Sequence, residues 1–326
     1  MQNNQPSALL ESVTEQEWIE YLRRFLPQDK EILASAEEDC AVIKLQEKKY
    51  LLLTTDALVE GIHFKLDYYT FFDLGYKLSA VNLSDIAAMG GTPLYAVLTL
   101  GSSIALDKAW LDPQLEGINT CLGKYSVKLV GGDTVKSPVF FLNLALIGVA
   151  ERPILRSTAK PGDEIFVSRP LGASSAFLRL IKEKPLEEIP EEVRLAHLRP
   201  EPEVELGRQL SQVAESMIDI SDGLLLDLYR ICRPSKVGAI VEVDKIPVAS
   251  FATLDEALAG GEDFALLFTV SKEKLSEIPK IEESLNRKLY KVGEIIPDTK
   301  LFLKEDGGLR EIAPRGYDHF TSQFQL

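Results

Sequence analysis

Aspartates recur in this 326-residue chain where apolar runs break, each beside small or hydroxyl residues. Asp39 precedes Cys40-Ala41-Val42-Ile43, Asp56 follows Leu51-Leu52-Leu53-Thr54-Thr55, and Asp85 closes Asn82-Leu83-Ser84-Asp85. Asp133 ends Leu129-Val130-Gly131-Gly132-Asp133, and Asp219 and Asp222 bracket Ile220-Ser221. Carboxylates at the ends of buried elements repel one another if they converge, unless a cation sits between them. An all-oxygen, carboxylate-heavy donor set suits Mg²⁺, which commonly keeps water and substrate phosphates in its shell. Metal-assisted phosphate chemistry is the first expectation.

Each motif alone has a plainer reading. Gly131-Gly132-Asp133 fits a hairpin turn, and Thr54-Thr55-Asp56 fits a strand end. Ser221-Asp222-Gly223 fits a helix start with Ser221 as N-cap and Asp222 favouring the helix dipole. His63 alone reads as a solvated or core histidine and Arg156 as a surface arginine. Together these readings weaken, because structural carboxylates do not normally accumulate at strand ends in both halves of one chain. Residues 117–124 superficially resemble a phosphate-binding loop, but five residues separate Gly117 from Gly123 and Tyr125 replaces the required Ser or Thr. That segment is expected to be helix surface, so ATP, if bound, is bound without such a loop.

The elements that must position these residues follow from periodicity and punctuation. Thr14-Glu15-Gln16-Glu17 is a capping box, with Val13 and Trp18 as the flanking hydrophobic staple, and starts a helix reaching about Phe25. Residues 41–45 and 50–55 read as strands joined by a polar turn. From Phe71 to Met89 the pattern is helical, with Leu74, Leu78, Val81 and Asp85 on one face. Gly90-Gly91-Thr92-Pro93 stops it, which puts Asp85 near its carboxyl end on the inward side. Strands are expected at residues 95–100, 128–130 and 139–150, with a helix at 108–125 between the first two. Beyond a boundary near Glu151-Arg152-Pro153, strands are expected at 164–168, 217–220, 239–243 and 264–270. Helices are expected at 173–182 and 202–214, after Ser221, and near 253–258, with 183–192 a solvated connector. Helices and strands mix in both halves, predicting α+β layering in two domains, residues 1–150 and 151–326.

Composition excludes several classes. Hydrophobic content of 45% and a length of 326 residues allow two real cores. A net charge of −14 with no basic cluster argues against nucleic-acid binding. Three scattered cysteines, Cys40, Cys121 and Cys232, suggest free thiols in a reducing compartment. The polar residues 1–7 lack a signal pattern, and no apolar stretch reaches the length of a membrane span. A cytoplasmic protein is expected, with neither nucleic acid nor membrane as partner.

In order along the chain, the motifs resemble the thiamine-monophosphate kinase family. They are Thr54-Thr55-Asp56-Ala57-Leu58-Val59-Glu60-Gly61-Ile62-His63-Phe64, Ala80-Val81-Asn82-Leu83-Ser84-Asp85-Ile86-Ala87-Ala88-Met89-Gly90 and Leu129-Val130-Gly131-Gly132-Asp133-Thr134. Ile218-Asp219-Ile220-Ser221-Asp222-Gly223-Leu224, Gly260-Gly261-Glu262-Asp263-Phe264 and the ending Gly316-Tyr317-Asp318-His319-Phe320 complete the set. Single motifs recur in aminoimidazole ribonucleotide synthetase and selenophosphate synthetase. The Ala-Val-Asn-Leu-Ser-Asp block and the His-Phe pair favour the kinase. The resemblance implies a two-domain aminoimidazole ribonucleotide synthetase-like fold whose amino-terminal strands pair across a homodimer. It implies transfer of the γ-phosphoryl of ATP onto thiamine monophosphate, giving thiamine diphosphate. By the family pattern Asp39, Thr54, Thr55, Asp56, Asp85, Asp133, Asp219 and Asp222 hold several Mg²⁺ ions. Gly132, Arg156 and Ser221 contact ATP, while His63 and Glu262 face thiamine monophosphate.

The family commonly has Gly-Asp-Asp where this chain has Glu37-Glu38-Asp39, and a changed local backbone is expected because glutamate adopts positive φ less readily than glycine. Pro314 stands where some members carry an aromatic, so no pocket residue is carried over there. Arg169-Pro170-Leu171-Gly172 also departs from the pattern, predicting an altered loop into the second domain. Rival readings are an ATP-dependent synthetase that phosphorylates an amide-type oxygen, and a nucleotide- or thiamine-binding relic without turnover. Selenophosphate synthesis is disfavoured by the lack of a cysteine in a glycine-rich amino-terminal loop. Hydrogenase maturation is disfavoured by the ending Gln323-Phe324-Gln325-Leu326.

Overall fold

The structure is a computed structural model that describes residues 14–27 and 29–319. The polar residues 1–7, the Val13 half of the staple, Phe320 and the residues 323–326 lie outside the described residues. The chain order is α1 (Glu15–Leu22), β1 (Ile32–Ala34), β2 (Ala41–Gln46), β3 (Lys49–Val59), α2 (Phe71–Ala88), β4 (Thr92–Ser102), α3 (Lys108–Lys124), β5 (Lys128–Lys136) and β6 (Phe141–Ala150). It continues with β7 (Glu164–Val167), α4 (Ala173–Glu183), α5 (Glu191–Leu198), α6 (Val204–Leu210), β8 (Ser216–Asp219), α7 (Leu224–Ser235) and β9 (Gly238–Glu242). The last elements are α8 (Leu254–Ala259), β10 (Leu266–Val270), α9 (Ile278–Leu285), β11 (Tyr290–Ile296), β12 (Leu301–Glu305) and β13 (Gly308–Ile312). The expected mixture of helices and strands is present in both halves.

The first sheet has the order β1-β2-β3-β6-β4-β5 and draws only on residues up to Ala150. The second has the order β13-β12-β9-β11-β7-β10-β8. In the first, β4 and β5 run parallel with α3 as their crossover, and the other pairs are antiparallel. β6 alternates strictly, burying Leu142, Leu144 and Leu146 and leaving Asn143, Ala145 and Ile147 half-exposed, the period-two signature of a sheet with one covered face.

α2 covers that face and is buried on nearly all sides, including its polar residues Lys77, Ser79, Asn82 and Ser84. Such a helix is central rather than amphipathic. It packs on α3 through paired glycines: a Cβ at Gly75 would lie 2.1 Å from the Gln114 carbonyl oxygen, and one at Gly117 2.1 Å from that of Phe72. Residues 117–124 are thus helical as expected, but Gly117, Ile118, Cys121 and Leu122 form the face buried against α2 rather than surface. One hydrophobic cluster runs from Leu52, Leu83 and Leu144 of the first sheet layer through Phe177 and Leu210 to Phe268 of the second.

Several boundaries differ from expectation. β3 runs to Val59 and β5 to Lys136, so Asp56 and Asp133 lie inside strands rather than at their ends. β6, paired with β3 from Tyr50↔Ala150 to Val59↔Phe141, supplies backbone partners past the run of Leu51, Leu52 and Leu53. The connector 183–192 contains a 3₁₀ turn with buried Ile189 and then starts α5, whose Val193 and His197 are buried. α6 is shorter than the expected helix over 202–214.

Candidate active site

A cavity of about 810 Å³ lies between the two sheets. Asp39, Thr54, Thr55, Asp56, His63, Asp85, Arg156, Asp219, Ser221, Asp222 and Glu262 all line it. Of the sequence-predicted site residues, Gly132 and Asp133 do not. Asp133 sits on the exposed strand β5 opposite Thr99 of β4, and its Oδ1 accepts its neighbour Thr134's N–H.

The last turns of α2 tie both sheets to the site. Asn82 accepts the Asp56 N–H at 3.1 Å through Oδ1 and donates to the Leu78 carbonyl at 2.9 Å. Ser84 donates to Asp219 Oδ2 at 2.5 Å, and Thr54 of β3 donates to Asp85 Oδ2. One oxygen each of Asp39, Asp85 and Asp219 lies within 4.8 Å of the others. Asp39 Oδ2 is buried with no hydrogen-bond partner. Burial, followed by the charges of Asp56, Asp219 and Asp39, pushes the Asp85 carboxyl well above its ordinary range. Burial and then the Asp39 charge do the same to Asp219, and burial pushes Asp56 up to about 6. Carboxyls crowded in this way resist ionising together unless a cation sits between them.

The unusual Glu37-Glu38-Asp39 segment wraps around Arg156. The Glu37 carbonyl accepts from Arg156 Nη1 at 2.9 Å, Glu38 Oε2 accepts the Arg156 backbone N–H at 2.9 Å, and Asp39 Oδ1 accepts from Nη2. Neither glutamate adopts positive φ. Glu38 is pushed up to about 7, chiefly by burial. In the loop into the second sheet, Gly172 takes φ +91° and its N–H donates to Asp263 at 2.7 Å, while Arg169 pairs with Glu203.

Ser221 does not cap α7, whose N-cap is Gly223 at φ +119° without a side-chain bond. The N–H groups of Ser221, Asp222 and Gly223 instead converge on Asp227 Oδ2 at 3.1, 3.0 and 3.1 Å. A carboxylate accepting three donors outcompetes a hydroxyl accepting one. Arg230 bridges Asp227 at 2.7 Å and Asp222 at 2.5 Å, fixing the latter over the cavity.

At the other end of the cavity, His63 Nδ1 accepts the Val59 N–H at 3.1 Å. Burial, then the charges of His319 and Lys77, lowers its pKa to about 4. The ring is therefore neutral at pH 7 and carries its proton on Nε2. Glu262 has φ +64° and its N–H donates to the Ser221 carbonyl at 2.7 Å. Tyr317 and His319 line the same end, the His319 ring 5.1 Å from that of His63. Sequence reading carried over no residue from this stretch, although Gly316-Tyr317-Asp318-His319 was among the motifs that marked it. Arg230 was also missed; its signal is the spacing, three residues past Asp227 and eight past Asp222.

The family model described as AIR synthase related protein, N-terminal domain, matches residues 37–150, and that for the C-terminal domain matches residues 160–306. A thiamine-monophosphate kinase of Salmonella typhimurium is 36% identical over 301 residues, covering 87% of this chain and 91% of that protein. That of Escherichia coli (strain K12) is 35% identical over 299 residues, covering 87% and 91%. Among solved structures, "AaThiL complexed with AMPPCP and TMP" superposes with a TM-score of 0.83 at 30% identity, covering 94% of this chain and 97% of that one. With relatives above 30% identity along most of its length and family models that match both halves, the chain belongs to the thiamine-monophosphate kinase family of AIR synthase related proteins.

Proposed function

We propose that this chain transfers the γ-phosphoryl of ATP onto the phosphate of thiamine monophosphate, releasing thiamine diphosphate and ADP. The observation that carries the reading is the meeting of Asp39, Asp85 and Asp219 within 4.8 Å in a cavity that also holds Arg156, His63 and Glu262. The complex of AaThiL with AMPPCP and TMP supports both substrates.

The residues fit Mg²⁺: the donors are all oxygen, Asp39 Oδ2 is buried and unpartnered, and burial with mutual repulsion raises Asp85 and Asp219. Asp39, Asp85 and Asp219 are the residues that would hold such an ion, with Thr54, Thr55, Asp56 and Asp222 around them. Bound there, Mg²⁺ would supply charge neutralisation for a triphosphate and a phosphate monoester that otherwise repel. Arg156, held by Glu37, Glu38 and Asp39, is the cation assigned to the phosphoryl oxygens, a reading that its position on the cavity wall supports. Ser221 stays assigned to ATP.

The acceptor phosphate is an oxyanion at neutral pH, so no strong base is required. His63 presents a neutral Nε2–H donor and Glu262 a carboxylate to the thiamine side. With Nδ1 accepting from Val59 and Nε2 protonated, His63 has no lone pair for attack. Cys40 is buried and its thiol pushed well up by burial. Both facts favour direct in-line transfer over a phospho-enzyme.

We also propose a homodimer joined through the open face of the first sheet. Leu53, Tyr95, Val97 and Val130 are exposed on this sheet, an apolar area that marks an interaction surface. Asp133 supports the same reading. It shares a pairing row with Thr99, Asn143 and Ala57, three strands from β3. At about 4.8 Å per strand it lies roughly 14 Å away, so Asp133 and Gly132 can serve an ATP site only if a second copy brings β5 to it. The division at residues 150/151 and a cytoplasmic location, suggested by three free buried cysteines, complete the proposal. Among the described residues no helix is long and apolar enough to cross a membrane.

ATP radiolabelled on its γ-phosphoryl tests the transfer. Label is expected in thiamine diphosphate, with none retained on denatured protein. Label trapped on protein, or found only in inorganic phosphate, overturns direct transfer.

A further inference from the structure

α2 carries a charge deeper in the molecule than the aspartates it delivers. Lys77 is fully buried, four residues before Val81 and eight before Asp85, and so on the stripe that faces the site. Its Nζ lies 2.9 Å from Glu262 Oε1 and donates to the Tyr69 hydroxyl at 2.9 Å. Nζ also stands 5.5 Å from the centre of the Tyr69 ring. The other Glu262 oxygen, Oε2, is 3.3 Å from His197 Nδ1, which is itself 2.8 Å from Ser174 Oγ. Lys77 does not line the cavity, whereas Glu262 does.

Both partners are in costly states when considered alone. A desolvated ammonium persists only when paired, and a non-glycine residue at φ +64° is strained. The ion pair joins them across the two sheet layers, from α2 under the first sheet to the loop that precedes β10 of the second. Anchored through Oε1 by the Lys77 ammonium, the Glu262 carboxylate is held in one orientation where it borders the cavity. The Lys77 charge reaches the neighbouring rings too: it is among the causes that lower His63 and His197.

We propose that Lys77 is a positioning residue for the acceptor: it acts through Glu262, setting the carboxylate that meets thiamine monophosphate, and does not touch substrate itself. This rests on the function proposed above. A carboxylate freed to rotate, or turned away to find another partner, loses its contact with the acceptor while the nucleotide end is unchanged. The defect belongs in the KM for thiamine monophosphate rather than in the KM for ATP.

The test is steady-state kinetics on the full chain with Lys77→Met, Glu262→Gln and the double variant, varying each substrate in turn. Lys77→Met is expected to raise the KM for thiamine monophosphate roughly tenfold or more and to leave the KM for ATP at the wild-type value. The double variant is expected to match Glu262→Gln alone, because one residue acts through the other. Multiplying effects in the double variant, or equal changes in both KM values, overturn the proposal. A loss of kcat alone, the mark of fewer folded molecules, also overturns it. Should Lys77→Met not fold, Lys77→Gln keeps a donor to Glu262 and is expected to give a smaller shift in the same KM alone. No thiamine diphosphate from the wild-type chain overturns the function and this proposal together. Wild-type turnover with additive variants overturns this proposal only.

Discussion

At the residue scale, the acidic centre sets opposite demands on stability and on activity. Folding raises the Asp56 carboxyl from 3.8 to about 6 and that of Glu38 from 4.5 to about 7. A carboxyl raised on folding favours the folded state only while protonated, so its contribution is full below the unfolded pKa and disappears as pH rises through the folded one. In chelator, the unfolding midpoint should therefore fall as pH rises from about 4 to about 7, and Asp56→Asn with Glu38→Gln should flatten that slope. A midpoint that climbs over this window contradicts the assignment. At pH 7, adding Mg²⁺ should raise the stability of the wild-type chain, by about 2.7 kcal/mol at a hundredfold excess over the dissociation constant. Asp85→Asn should remove the rise. Asp56→Asn should abolish turnover yet leave the fold intact, with circular dichroism as the control. Near-normal activity at limiting Mg²⁺ sinks the metal role.

At the element scale, two contacts decide how the site is held. Asp227 is buried, accepts three N–H groups from the 221–223 turn and pairs with Arg230. Asp227→Ala leaves those donors and the guanidinium uncompensated and should cost about 3 kcal/mol in chemical denaturation. Gly117→Ala places a methyl against the Phe72 carbonyl and should cost about 1–3 kcal/mol, read in the same way. These elements also mark how far the sequence could be read. α1, with its capping box, and α2, with its apolar spacing and glycine stop, were legible because their signals are local. The ends of β3 and β5 were not, because a ladder ends where the partner strand ends and not where leucines stop. Asp227 was invisible for a similar reason. A serine at a helix start resembles a cap until the fold brings a carboxylate six residues on under the turn. α5 is eight residues long and begins with Glu191-Glu192, so its charge concealed the buried Val193 and His197. Asp39, Asp85 and Asp219 were assigned to one site by the family resemblance, electrostatics alone arguing against their meeting without a cation, whereas Lys77 was missed although its helical spacing to Asp85 was available.

At the scale of the molecule, an open apolar sheet face and a distant Asp133 point to a second copy. Light scattering should give twice the 36.2 kDa chain mass, and Val97→Asp, on the exposed face, should yield monomer with reduced turnover. A wild-type monomer with full activity contradicts the shared-site reading. The proposed activity is tested most directly by ADP release from MgATP with and without thiamine monophosphate, the product identified by mass. A kinase for thiamine monophosphate forms ADP only with the acceptor, matched mole for mole by thiamine diphosphate. ADP released at the same rate without the acceptor, or with no thiamine diphosphate formed, would contradict that activity.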